Sequence, residues 1–86
     1  MKSLTVRDKK KVYFIRKIFS VSDKYLWAEY KGYILDIHWM EDEFHTGFYT
    51  TVEHPNGGYD YDGWVPKSII TLNEAILDAL KGSMII

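Results

Sequence analysis

The stretch Tyr33-Ile34-Leu35-Asp36-Ile37-His38-Trp39 decides the fold class of this chain, because its apolar and polar residues alternate with a period of two. That period belongs to a β-strand, in which successive side chains point to opposite faces of the sheet. The odd-numbered residues therefore share one face, and Asp36 and His38 lie on the other. The pattern predicts a sheet that is buried on one face and solvated on the other, as antiparallel sheets commonly are.

Segments on both sides of this stretch have the composition of strands and are separated by turn residues. They are rich in β-branched and aromatic residues, which favour strands. The predicted strands are residues 11–20, 25–30, 33–39, 48–53 and 59–64. The first of them alternates imperfectly, and a helix is the competing interpretation there.

The strongest turn signal is Asn56-Gly57, since both residues tolerate the positive φ of a tight hairpin. A two-residue loop there would place Val52 opposite Tyr61 and Glu53 opposite Asp60. The second pair would be two like charges side by side, which is unfavourable. A longer loop would change this register.

The C-terminal segment has the pattern of an amphipathic helix. Thr71 and Glu74 have the spacing of a capping box, and Gly82 is expected to end the helix in the left-handed conformation. The apolar stripe comprises Leu72, Ala75, Ile76, Ala79 and Leu80. The fold class predicted is α+β, a curved antiparallel sheet of four to five strands with one C-terminal helix packed on it.

Length and composition predict a single domain over residues 1–86 that folds without disulfides, since 47% of the residues are hydrophobic and none is cysteine. A chain without cysteine is compatible with a reducing compartment, so we expect a cytoplasmic protein. No apolar run approaches the roughly 20 residues that span a bilayer, and the N-terminus lacks the apolar core of a signal peptide. We therefore expect no membrane contact.

The net charge of −1 hides an uneven distribution along the chain. Residues 1–31 contain nine Lys or Arg and three Asp or Glu, whereas residues 32–86 contain two and nine. The first part could attract polyanions and the second could attract basic partners. Because the two ends are complementary, a homodimer is a further possibility.

Sequence motifs for catalysis or cofactor binding are missing. No nucleophile elbow, phosphate-binding glycine loop or thiolate is present. Asp36 and His38 could begin a metal site if His45 or His54 joined them, but their spacing is typical of surface residues. We predict no catalytic residue, no cofactor and no metal.

The segment from residue 39 to residue 64 combines aromatic anchors with carboxylates, which favours binding of a basic partner protein. We expect a non-enzymatic interaction module, of the inhibitor or immunity type that phages and other mobile elements encode, such as an anti-CRISPR-like protein. It would block a nucleic-acid-binding site by presenting carboxylates where phosphates lie. The predicted partner-binding residues are Trp39, Glu41, Asp42, Glu43, Tyr49, Asp60, Tyr61 and Asp62.

Two alternatives stay open. A nucleic-acid-binding module would use the basic N-terminal segment, where lysines and arginines are interleaved with aromatic residues. Its contact residues would be Lys9, Lys10, Lys11, Arg16 and Lys17. A small enzyme or enzyme subunit built on Asp36 and His38 is the second alternative.

Overall fold

A computed structural model describes residues 3–86 and has the predicted α+β architecture. Its elements in chain order are β1 (Leu4–Asp8), β2 (Lys11–Ile15), β3 (Lys17–Ser22), β4 (Tyr25–Tyr30), β5 (Tyr33–Glu41), β6 (Thr46–Glu53), β7 (Tyr59–Trp64) and the helix α1 (Leu72–Gly82). Strands β3 to β7 form a five-stranded antiparallel meander, and β1 and β2 form a separate hairpin. Neither sheet is closed. Within residues 3–86, no helix has the length and apolar character needed to cross a membrane.

The strand predicted at residues 11–20 is two strands that belong to different sheets. The chain leaves strand geometry at Arg16, so β2 pairs with β1 and β3 pairs with β4. The imperfect alternation marks this break, since Ile15 is buried whereas Arg16 and Lys17 are both exposed. Strand β1 was not predicted, because charged neighbours hide the alternation that buries Val6 completely.

The register between β6 and β7 confirms one predicted pair and corrects the other. Val52 lies opposite Tyr61, but an irregularity then places Tyr59, not Asp60, opposite Glu53. The connecting turn is longer than two residues, since the His54 amide donates to the Gly58 carbonyl at 2.8 Å. The unfavourable pair of carboxylates therefore does not form.

The core lies between one face of the five-stranded sheet, called here the inner face, and a layer formed by α1 and the β1–β2 hairpin. The stripe predicted on the helix packs against this face with Val6 and Ile15 of the hairpin, and all of its residues are buried except Leu72, which is partly buried. Asn73 joins helix to hairpin, since its side chain accepts from the Arg7 amide and donates to the Arg7 carbonyl, both at 3.0 Å. The fully buried residues of the inner face are Leu26, Ala28, Leu35, Ile37, Phe48, Thr50 and Val52.

The helix begins as predicted and ends differently. The Thr71 hydroxyl accepts from the Glu74 amide at 3.2 Å, which confirms the predicted cap. Gly82 is the last helical residue and not the left-handed one, since that conformation falls on Met84, with φ of 59°. Glycine is needed at position 82 for a close approach, because a Cβ there would lie 2.9 Å from the ring of Tyr61.

Candidate protein-binding surface

The opposite side of the five-stranded sheet, called here the outer face, is not covered by the helix or by the hairpin. A row of rings crosses it from β4 to β7, because the register aligns Tyr25, His38, Tyr49 and Trp64. The ring centroids of successive neighbours lie 6.4, 6.2 and 5.4 Å apart. His45 extends the row by stacking on Trp64, with centroids 4.8 Å apart and an interplanar angle of 13°.

A second row runs beside the first and combines aromatic and acidic side chains. The register aligns Trp27, Asp36, Thr51 and Asp62 across β4 to β7. Phe19, at the irregularity in β3, contacts Trp27 with a centroid separation of 4.9 Å. These two rings are 52% and 44% exposed, so large apolar surfaces face solvent at the β3 side of the outer face.

The charge of the outer face is negative. Strands β3 to β7 contribute four carboxylates to it, from Glu29, Asp36, Glu53 and Asp62, whereas Lys17 is the only Lys or Arg in these strands. Lys17 is paired with Glu29, with Nζ and Oε2 3.1 Å apart. Carboxylates without a local cation attract positively charged partners.

Hydrogen bonds hold the carboxylates beside the aromatic rings. The Tyr49 hydroxyl donates to Asp62 at 2.6 Å, and this bond, with partial burial, raises the pKa of Tyr49. The Asp36 carboxylate lies 3.0 Å from Nδ1 of His38. Both carboxylates therefore have restricted positions, which lowers the entropy lost when a partner binds.

The turn between β5 and β6 positions the end of the aromatic row. The Asp42 carboxylate accepts from the backbone amides of Phe44 and His45, both at 2.7 Å. These two bonds hold the pKa of Asp42 below its usual value. The turn directs His45 onto Trp64 and leaves Phe44 81% exposed beside it.

Sequence reasoning placed eight residues in one partner-binding surface, and the structure divides them. Tyr49 and Asp62 lie together on the outer face. Trp39 and Tyr61 lie on the inner face, where both are half-buried against the core. Asp60 is exposed on the edge strand β7.

The inner-face aromatics have structural partners. Nζ of Lys24 lies 3.8 Å from the ring centroid of Trp39, and the indole of Trp39 donates to Glu41 at 3.2 Å. The Tyr61 hydroxyl donates to Asp78 of the helix at 2.5 Å. Burial, and then this hydrogen bond, raises the pKa of Tyr61.

The remaining predicted acidic residues lie near the β5–β6 turn. Glu41 ends β5, and Asp42 is engaged by the amides of the turn. Glu43 is exposed in the same turn. Asp42 and Glu43 therefore lie at the end of the outer face but outside its rows, whereas Glu41 lies on the inner side of β5 beside Trp39.

Sequence reasoning missed Phe19, Tyr25 and Trp27 as surface residues. A signal for two of them was available, since Tyr25 and Trp27 alternate with the buried Leu26 and Ala28. A two-residue turn after Tyr30 fixes the phase of β4 relative to β5. Phe19 carried no such signal, because it lies at the irregularity of β3.

The five predicted nucleic-acid contacts fall in two places. Lys9, Lys10 and Lys11 line a groove of about 380 Å³ at the tip of the β1–β2 hairpin. Arg16 and Lys17 line another groove, of about 440 Å³, between the hairpin and the sheet. The basic segment therefore does not form one continuous surface.

The histidines considered for a metal site do not converge. His38 contacts Asp36, whereas His45 stacks on Trp64 and the ring of His54 lies 5.3 Å from that of Tyr33. Among residues 3–86, no group of three or more His, Asp or Glu side chains is arranged to hold a metal ion.

Comparison of the chain with protein-family models, with curated proteins and with solved structures found no match in any of the three. The arrangement of side chains on the two faces of the sheet is therefore the basis for a functional proposal.

Proposed function

We propose that the chain is a non-enzymatic protein-interaction module whose outer sheet face binds a basic surface of a partner protein. One observation carries this proposal. A solvent-facing sheet surface combines an aromatic row with carboxylates, and its strands contain a single Lys or Arg. Monomeric proteins seldom expose large contiguous aromatic surfaces without an interaction role.

The aromatic rings would supply most of the binding energy. Trp and Tyr are enriched among interface hot spots, because they bury a large area and lose little conformational entropy. Trp27, which is 44% exposed, also offers a ring face to cations, and a cation–π contact contributes about 0.5–2 kcal/mol, more when water is excluded. An arginine-rich partner surface would supply both the contact area that the rings bury and the cations that lie over a ring face.

The carboxylates would supply orientation and association rate. Asp36 and Asp62 lie in the same row on β5 and β7, with Thr51 of β6 between them. Their field steers a basic partner toward the rings and disfavours acidic proteins. Guanidinium groups of the partner would pair with these carboxylates at the centre of the interface.

The inhibitor or immunity-type function extends this proposal. A basic site that normally grips nucleic acid presents cations to phosphates, and the carboxylates of the outer face would take their place. An anti-CRISPR-like or similar mobile-element protein acting in the cytoplasm would need carboxylates placed in this way to block a nucleic-acid-binding site. The acidic and aromatic chemistry of the outer face supports this extension.

The three tryptophans provide a direct test by NMR. Trp27 and Trp64 lie on the outer face, whereas Trp39 lies on the inner face under Lys24. Titration with a synthetic arginine-rich peptide should shift the indole N–H signals of Trp27 and Trp64 and leave that of Trp39 in place. Shifts confined to Trp39, or no shift at any of the three, would exclude the outer face as the binding surface.

Charge reversal tests the surface against the natural partner. Tagged Asp36→Lys and Asp62→Lys variants should recover less of a specific protein from nuclease-treated native lysate than the unchanged chain does. Asp23→Lys is the matched control, because it makes the same change in charge at an exposed position in the β3–β4 turn, outside the two rows. Equal recovery by all three variants would contradict the proposal.

A further inference from the structure

A cationic and aromatic groove lies between the β1–β2 hairpin and the turn that joins β4 to β5. Its volume is about 440 Å³, and its apolar lining includes Val12, Phe14 and Tyr30. Its charged lining includes Arg16 and Lys31. The groove meets the outer face at the Lys17–Glu29 pair, but it contains no residue of the two outer-face rows, and the proposed protein-binding function does not use it.

The geometry points to a binding site for single-stranded nucleic acid in this groove, with a base stacked on Phe14 and the adjoining phosphates held by Arg16 and Lys31. Proteins that bind single strands combine an aromatic stacking platform with a basic groove along the backbone. Both parts are present here within one concave surface. The inference is independent of the proposed partner protein.

Phe14 is available for stacking because of the register of the hairpin. Ile15, its neighbour in β2, is buried in the core, so Phe14 projects from the other side of the strand and is 55% exposed. Val12 projects on the same side and is 42% exposed. An aromatic ring beside an exposed aliphatic side chain offers an apolar platform for a planar base.

Two cation–aromatic pairs lie along the groove. The guanidinium carbon of Arg16 lies 5.9 Å from the ring centroid of Phe14, and Nζ of Lys31 lies 5.4 Å from that of Tyr30. Each pair offers a ring for a base and a cation for the neighbouring phosphate. Lys31 has φ of 53° in the β4–β5 turn, at a position where Asn or Gly is usual.

The balance of charge in the groove is positive although the chain as a whole has a net charge of −1. Glu29 is the only carboxylate among the described residues that line it, and Lys17 neutralises that carboxylate at 3.1 Å. Arg16 and Lys31 then remain available for phosphates. A low isoelectric point argues against a protein that binds nucleic acid over its whole surface. This site needs only a local positive field.

The chemistry of the groove favours a nucleic acid over an acidic polypeptide. Aspartate and glutamate would pair with Arg16 and Lys31 but would leave the exposed face of Phe14 without a partner. A nucleotide satisfies both the ring and the cations, and a volume of about 440 Å³ lies within the range of small-molecule sites.

The primary experiment measures binding of a fluorescein-labelled oligothymidylate, about 10 nucleotides long, by fluorescence anisotropy. Saturable binding is expected. Two phosphate contacts give a salt slope of about −1.4, so affinity should fall about sevenfold between about 50 mM and about 200 mM salt. No binding at low salt, or binding without salt dependence, would overturn the proposal.

Substitutions in the groove separate stacking from charge. Phe14→Ala should weaken binding at least about fivefold with little change in salt slope, while Phe14→Trp should retain binding and show quenching of its own fluorescence. Arg16→Glu should weaken binding and make the salt slope shallower. Folding of each variant is checked by circular dichroism, and since these side chains are exposed the fold is expected to persist.

Lys10→Glu is the matched control, because it makes the same charge change as Arg16→Glu at the hairpin tip, outside the groove. It should leave affinity within about twofold. Equal weakening by the two variants would overturn the proposal in favour of non-specific attraction. Displacement of the labelled oligonucleotide by polyglutamate as effectively as by unlabelled oligothymidylate, at the same charge concentration, would also overturn it, because stacking would then contribute nothing.

A second copy of the chain is the remaining occupant that the experiment must exclude. Its acidic outer face could occupy the groove, and the protein would then self-associate in sedimentation velocity runs. Self-association that Arg16→Glu abolishes, together with failure to bind the oligonucleotide, would replace the nucleic-acid site with a homodimer contact.

Discussion

Thr50→Val is expected to stabilise the protein, because Thr50 occupies a core position that a hydroxyl does not suit. Its side chain is fully buried on the inner face, and its Oγ1 has no hydrogen-bond partner among the described residues. Its neighbours across β4 and β5 are the apolar Ile37 and Leu26. Valine has nearly the same shape and would remove the hydroxyl without leaving a cavity.

The magnitude follows from the cost of an unsatisfied hydroxyl. Burying a polar group without a partner costs about 1–3 kcal/mol in protein interiors. We expect Thr50→Val to raise the free energy of unfolding by about 1–2 kcal/mol, which corresponds to an increase in Tm of roughly 5–15 °C for a domain of this size.

Equilibrium urea unfolding followed by tryptophan fluorescence measures the effect. The midpoint should rise by about 1 M while the slope stays constant. Thr51→Val is the control, because Thr51 is half-buried on the outer face of the same strand, and its effect should stay within about 0.5 kcal/mol. A midpoint equal to or below that of the unchanged chain would show that the Thr50 hydroxyl is satisfied in the folded protein.

Three other perturbations concern the helix, the hairpin and the β5–β6 turn. Gly82→Ala should lower the free energy of unfolding in urea, because the new Cβ would lie 2.9 Å from the ring of Tyr61. Helix propensity alone predicts that this free energy rises by up to about 1 kcal/mol, and such a rise would contradict the close contact. Asn73→Ala should cost about 1–2 kcal/mol and accelerate hydrogen exchange at the Arg7 amide, and unchanged exchange would show that the hairpin does not depend on Asn73. The Asp42 carboxyl should titrate below its usual pKa of 3.8 when followed by NMR, so its stabilising effect is present above pH 3.8 and is lost as pH falls through the lower pKa of the folded state. Asp42→Asn should remove this dependence of stability on pH. Titration of Asp42 at or above 3.8 would contradict the prediction.

The elements that could be predicted are those whose signal lies within a few residues. The alternation through Leu35 and Ile37 fixes the phase of β5, and Thr71 with Glu74 marks the start of the helix. Both signals arise from local rules, namely the period of a strand and the satisfaction of free amides at a helix end. The structure confirms both.

Predictions failed where contacts between distant segments decide the conformation. The role of Gly82 depends on the ring of Tyr61, which lies 21 positions away in the chain. The break at Arg16 depends on which strand each half pairs with, β1 or β4. Burial of Val6 requires the helix as well as the hairpin. Local composition contains none of this information.

The candidate surfaces show the same division. The order of residues alone shows that acidic residues are concentrated after residue 32 and basic residues before it. Folding places Trp39 and Tyr61 toward the core, brings Trp27 and Asp62 onto the outer face, and separates Arg16 from Lys10. The physical reason is that each side chain follows the alternation of its own strand, whereas its neighbours across the sheet are set by pairing and by the layer that covers one face.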